Sequence, residues 1–328
     1  MSDVVALTSR EELARRLVES LKRQLGAAFC DRLADPAVFE LLLNADGQMW
    51  EDRAGVGMSI VGKLSATAAE SFIGTVASML RSTVTRENPI LECTLPDTRP
   101  FRGARFSAVL PPIAPAPMFS IRMKASAVFS LANYVERGIM TPGQRDAIEH
   151  AAAHRQNILV IGGTGTGKTT LTNAIIGYAV EAAPDLRWGI LEDVAELQCV
   201  AANKFNLLTS TNYNMQGLLK HTLRQRPDRI VVGEVRDRTA LDLLKAWNTG
   251  HPGGVSTVHA NRGINAGLTR IEQLVAEGSA SPMQAVIAEA VNMMVFIERA
   301  SNQPGRIVAA VVSVSGFRNG EYQLETLG

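Results

Sequence analysis

From Thr141 onward, short apolar strands alternate with helical segments, which predicts an α/β fold on a mostly parallel sheet covered by helices. A glycine-rich turn separates the first of these strands from its following helix, as expected where such a fold binds phosphate. The first 130 residues lack this alternation and mix hairpin and helical patterns, predicting a smaller α+β domain. The expected division is therefore 1–130 for the N-terminal domain, 131–140 for a linker and 141–328 for the α/β domain.

Each element has a local warrant. Residues 8–29 read as a helix, with a Ser9–Glu12 capping box and Leu13, Leu17, Leu21 and Leu25 at helical spacing. Arg15, Arg16, Lys22 and Arg23 give it a basic face, suited either to solvent or to anionic lipid. VFELLL (38–43) and MWEDRAGV (49–56) flank the turn NADGQ and predict a hairpin. Ala69, Phe72, Ile73, Val76 and Leu80 place a helix over 66–81. RFSAVL (105–110) and MFSIRM (118–123) predict strands on either side of the stiff segment PPIAPAP. In the second domain, Thr141, Pro142 and Gln144 open a helix leading into the strand NILVIG (157–162). RWGILE (187–192), RIVVGE (229–234) and GVSTVH (254–259) predict further buried strands, and helices are expected over 168–182, 215–226 and 238–248.

Composition narrows the function classes. Lys and Arg total 33 against 32 Asp and Glu, so bulk charge gives no reason to expect a nucleic-acid partner. Cys30, Cys93 and Cys199 are far apart and form no C-x-x-C pair, which argues against a zinc ribbon and fits a reducing cytoplasm. The first residues lack a basic leader followed by an apolar core, and no apolar run approaches the roughly 18 residues that cross a bilayer. Action at a membrane would then mean docking from the cytoplasm.

The strongest chemical signal is Gly162-Gly163-Thr164-Gly165-Thr166-Gly167-Lys168-Thr169, which fits G-x-x-x-x-G-K-[ST] at every fixed position. Glycines let successive amides converge on phosphate oxygens, and the following helix points its positive end at them. Lys168 is expected on the β- and γ-phosphates of ATP, Thr169 on Mg2+, and Thr170 beside them in the first helical turn. Two strands end in acids: Glu192 with Asp193, and Glu234. Glu234 is the candidate to orient or deprotonate water, and Glu192 or Glu234 to hold magnesium through water. Asp193 and Glu196 fit a loop-capping role equally well. Glycine occupies the position before Glu234, where an aspartate commonly stands. His259 ends the strand of TGHPGGVSTVHAN (249–261) and is a candidate γ-phosphate sensor.

These four blocks, 162–169, GILEDVAEL (189–197), PDRIVVGEVR (227–236) and 249–261, resemble in this order the traffic ATPases of bacterial secretion and pilus systems. LLLNADGQMWEDRAG (41–55) and FSIRMKASAVFSLANYVERGIMT (119–141) look like the same family, so the resemblance covers roughly the whole chain. It is nearest to the type IV secretion branch, and the missing C-x-x-C pair fits that branch. The resemblance implies a RecA-like P-loop NTPase domain and a homo-oligomer, specifically a hexameric ring. It also implies ATP between the two domains and partners in inner-membrane secretion or conjugation machinery. The place of work would be the cytoplasmic face of that membrane, by peripheral association. Arg105 and Arg122 match family arginines that reach the nucleotide, which makes them candidate catalytic groups. Competing readings are a RecA-like nucleic-acid translocase and a non-hydrolysing nucleotide switch. The acidic and histidine boxes favour the secretion motor, with no direct nucleic-acid binding expected, and intact Lys168 and Glu234 argue against the switch.

Overall fold

The computed structural model describes residues 2–53, 55–80, 82–124, 129–210, 212–260, 263–301 and 304–328, with the side chains of 2–11 outside the description. The chain divides into two compact units, Met1–Ser126 and Ala127–Gly328.

The first unit begins with α1 (Ser2–Leu25) and α2 (Ala27–Ala34). Gly26, at φ 92°, separates them, so the single helix expected over 8–29 is two. The helix begins at Ser2, so Ser9 and Glu12 stand inside it and cannot form the expected capping box; Glu12 instead accepts from Arg16 at 2.6 Å. Next come β1 (Val38–Leu43), β2 (Gln48–Arg53), β3 (Gly57–Lys63) and α3 (Ala66–Met79). The unit ends with β4 (Ile90–Thr94), β5 (Arg105–Val109) and β6 (Met118–Arg122). The sheet runs β3-β2-β1-β6-β5-β4, and every pairing is antiparallel. Ser65 caps α3 by accepting the Ala68 amide at 3.2 Å. The α3 face carrying Phe72, Ile73 and Val76 packs with Phe106, Phe119 and Ile121 of the sheet. The Phe72 ring stands 5.6 Å from Phe106 and 5.4 Å from Phe119, contacts worth about 0.5–1.5 kcal/mol each beyond area burial.

The second unit opens with α4 (Leu131–Glu136) and α5 (Pro142–Ala153). Residues 131–140, read in the sequence as a linker, thus carry a helix whose Leu131 and Tyr134 are buried. At the start of α5 the Thr141 hydroxyl accepts the Gln144 amide at 3.0 Å, and the Gln144 side chain accepts the Thr141 amide at 3.1 Å. The capping box there is as expected. Then follow β7 (Ile158–Gly162), α6 (Lys168–Ala182), β8 (Trp188–Glu192), β9 (Lys204–Leu208) and α7 (Met215–Thr222), which ends in a 3-10 turn, Leu223–Gln225. After them come β10 (Arg229–Val235), α8 (Thr239–Asn248), β11 (Val255–His259), α9 (Gly263–Ala276) and α10 (Gln284–Ala290). The unit closes with β12 (Met293–Arg299), β13 (Arg306–Arg318) and β14 (Glu321–Thr326).

The eight-stranded sheet runs β14-β13-β12-β7-β11-β10-β8-β9. The pairings from β12 to β9 are parallel, and β13 and β14 join antiparallel. The mostly parallel sheet expected from the sequence is therefore present. Both of its faces are buried. Ile158 and Val160 of β7 enter one core with Ile190, Val231 and Val295, while Leu159 and Ile161 enter the other with Leu191, Val232 and Trp247. This two-residue period explains why β7 reads as an uninterrupted apolar run. Each such fully buried side chain contributes about 1.5–3 kcal/mol.

Asn157 ties the lower edge of the sheet. Its Oδ1 accepts the amides of Gly253 at 2.8 Å and Gly254 at 3.0 Å, and its Nδ2 donates to Ala290 O at 2.7 Å. Asn157→Ala leaves these buried groups unpaired and is expected to lower unfolding stability by about 3 kcal/mol, read from urea titration.

Candidate nucleotide-binding site

β7 delivers the chain into the glycine loop, and α6 begins directly after it. Gly165, at φ +69°, and Gly167, at φ +99°, occupy left-handed backbone regions that side chains resist. Gly162 must also be glycine, because a Cβ there would run into the Ile297 carbonyl and stand 2.7 Å from Thr166 Oγ1. The N-cap of α6 is Gly167, which offers no side-chain cap, and the first backbone bond runs from the Leu171 amide to Gly167 O at 2.9 Å. The first turn, Lys168 to Thr170, precedes that bond, and the positive end of the helix dipole faces the glycine loop. Lys168 Nζ folds back over the loop, donating to Gly162 O at 2.8 Å and Gly163 O at 2.9 Å. Thr166 closes the turn with a bond to Gly163 O at 3.1 Å, while Thr164 is exposed. A helix N-terminus with glycine as its N-cap, a lysine and glycines that permit close approach suit a chain of phosphates.

The acids line one flank. β11 pairs with β7 so that His259 lies opposite Gly162, and the exposed His259 thus ends level with the start of the loop. β10 lies beyond β11, and β8 beyond β10. Thr169 Oγ1 reaches Glu196 Oε2 at 3.4 Å. Glu192 is 3% exposed, and its Oε1 accepts the amides of Glu196 at 2.8 Å and Leu197 at 2.7 Å. It therefore organises the loop that presents Glu196. Glu234 is held by Arg236 through Nε at 3.0 Å and Nη2 at 2.7 Å, and Arg236 also approaches Asp193 at 3.5 Å. Burial opposes the charge on Arg236, but Glu234, Asp193 and Glu196 outweigh it and hold the guanidinium above its ordinary pKa.

Three further residues were given no role from the sequence. Asn173 on α6 accepts the Gln198 amide at 2.8 Å and donates to Glu196 O at 3.4 Å, fastening the acidic loop to the helix. Ser256 and Thr257 donate to Val232 O at 2.7 Å and Gly233 O at 2.8 Å, stitching β11 to β10 where the backbone register shifts. Their hydroxyls serve the sheet. A polar residue inside an apolar strand was their only sequence signal. Asn261 of the histidine box lies outside the described residues. In the first unit Arg105 and Arg122 are cross-strand partners, and Arg122 also pairs in register with Glu40.

Residues 35–303 match the family model described as Type II/IV secretion system protein. The chain belongs to that family. It is 50% identical over 310 residues to the conjugal transfer protein TrbB of Rhizobium radiobacter, covering 94% of each protein. It is 30% identical over 276 residues to the type IV secretion system protein VirB11 of Bartonella henselae, covering 71% of this chain and 75% of that one. Among solved structures it shares its fold with the pilus retraction motor PilT, with a TM-score of 0.65 at 17% identity over 91% of this chain and 82% of that one. The family resemblance carried by the four sequence blocks is borne out, and so is the two-part α/β fold with its P-loop domain.

In this secretion-family chain the glycine before Glu234 has a steric reason. A Cβ on Gly233 would stand 3.1 Å from Glu192 Cγ, so an aspartate at 233 would press on the side chain that caps the acidic loop. Gly233→Ala is expected to cost about 1–2 kcal/mol of stability by overpacking, and Gly233→Asp more because it adds like charge. Thermal unfolding of both variants beside the parent chain measures this.

Proposed function

We propose that this chain is the ATP-hydrolysing motor of a type IV secretion or conjugative-transfer system, powering pilus assembly or substrate export from the cytoplasmic face of the inner membrane. The observation that carries the reading is the glycine loop opening into an uncapped helix with Lys168 folded over it, flanked by acids at the tips of neighbouring parallel strands. Similarity to TrbB and VirB11 supports the biological setting. Among the described residues no helix is long and apolar enough to cross a membrane, which is compatible with peripheral docking.

In this reading the amides of Gly163 to Thr170 cradle the phosphates of ATP, and Lys168 leaves the loop carbonyls to contact the β- and γ-phosphates. Thr169 would hold Mg2+ through its hydroxyl, and Glu196, which accepts from that hydroxyl at 3.4 Å, would add negative charge beside it. Mg2+ supplies neutralising charge to the phosphate oxygens. Among the described residues no cluster of three His, Cys, Asp or Glu has a metal-holding arrangement, consistent with an ion held largely by phosphate and water. Glu234, released from Arg236, orients or deprotonates the attacking water. Glu192 supports the acidic loop and His259 senses the γ-phosphate. Arg105 and Arg122 neutralise charge that develops on the phosphates during transfer.

Lys168→Ala is expected to abolish ATP hydrolysis. Glu234→Gln retains ATP binding but slows single-turnover hydrolysis on the order of 10²-fold, as for loss of a general base. Arg105→Ala and Arg122→Ala lower turnover with the unfolding curve unchanged. Phosphate release by the purified variants tests the series, and normal turnover in Lys168→Ala would refute the reading. The motor is further proposed to work as a homo-oligomeric ring, specifically a hexamer. Sedimentation with Mg·ATP is expected to show a species near six times the 35.3 kDa chain, and a strict monomer at all concentrations would refute the ring.

A further inference from the structure

Two arginines outside every motif press on the phosphate loop. Arg299 ends β12 and Arg306 begins β13, and the two are register partners across the hairpin. A Cβ on Gly165 would stand 2.5 Å from Arg299 Nη2, and one on Gly167 would stand 2.5 Å from Arg306 Nη1. These two glycines therefore have a second reason to lack side chains, because each leaves room for a guanidinium. Like charges directly opposite on neighbouring strands repel. Among the described residues, neither guanidinium has a hydrogen bond or an ion pair to relieve that repulsion. Tyr134 lies near Arg306, but burial pushes its phenol pKa up and keeps it neutral, so it offers no counter-charge.

Arg299 is exposed and Arg306 half-buried, so both guanidiniums are open to an anion that reaches the loop. The strand order says which part of it. His259, Glu234 and Glu192 stand at the tips of β11, β10 and β8, all on one side of β7. The arginines stand at β12 and β13, on its other side. If hydrolysis proceeds on the acidic flank, the arginine flank faces the nucleoside end of the phosphate chain.

We propose that Arg299 and Arg306 bind the α- and β-phosphates of the nucleotide from the flank opposite the acids, and so hold ADP and ATP alike. This rests on the reading that residues 162–170 bind a nucleotide. Their work is uniform binding, which sets affinity and ADP retention and leaves the choice between di- and triphosphate to the other flank.

The test is the dissociation constant of Mg·ADP and of a non-hydrolysable Mg·ATP analogue, measured calorimetrically on the full chain. Arg299→Ala and Arg306→Ala are each expected to weaken both ligands by the same factor, about 10-fold, as for loss of one charge-assisted hydrogen bond. Arg299→Lys and Arg306→Lys should recover part of the loss. Unfolding temperatures without nucleotide should match the parent chain, while the upward shift caused by ADP shrinks. Unchanged ADP affinity would overturn the inference, as would a loss confined to the ATP analogue, which would put the arginines on the γ-phosphate. A lower unfolding temperature with an intact ADP-induced shift would also overturn it, by making the pair a brace for the loop. If the parent chain binds neither ligand, the nucleotide reading itself fails, an outcome distinct from failure of the arginine variants alone.

Discussion

The phosphate loop depends on β7 being hydrogen-bonded along both edges, by β11 on one side and β12 on the other. A strand pinned on two sides cannot slide, so the point where the chain leaves the sheet is fixed. Gly162 occupies that point, wedged between the Ile297 carbonyl and Thr166. Once β7 is fixed, the tips of its neighbours fall into a row across the sheet, with arginines on one flank and the histidine and glutamates on the other. The hydrophobic packing of both sheet faces thereby sets the order of charges at the top edge.

The polar groups of the site hold one another before any ligand arrives. Lys168 spends its donors on loop carbonyls, Glu234 is matched by Arg236, and Glu192 accepts two amides. Such groups are oriented at no further entropic cost when phosphate displaces their partners. The start of α6 differs, since its N-cap is Gly167, which has no side chain to cap the first turn.

How much of this was legible in the sequence follows from the kind of signal each part emits. The loop and its flanking strand and helix were readable because glycine, lysine and threonine are required there by backbone geometry and charge. Strands β8, β10 and β11 were readable as apolar runs ending in polar residues. β3 and β4 were missed because β3 buries no residue fully and β4 only Leu91, so neither shows a set of core side chains in the sequence. β12 follows the apolar segment of α10 with only Val291 and Asn292 between them, so hydrophobicity alone could not separate strand from helix. Arg299 and Arg306 escaped because their relation to the loop arises only when β12 pairs with β7. The position of Glu192 at a strand tip was legible, but its bonds to Glu196 and Leu197 depend on how the next five residues turn.

Those two bonds change how a genetic experiment on the acidic box should be interpreted. A carboxylate that ties down its own downstream loop is a fastener, whatever chemistry its charge also serves. Shortening Glu192 to Asp keeps the charge yet withdraws it from the amides of Glu196 and Leu197, whereas Gln keeps the reach and one acceptor oxygen while discarding the charge. The two replacements therefore separate the mechanical role from the chemical one: a chain that tolerates Gln but not Asp needs the fastener, and one that tolerates Asp but not Gln needs the charge.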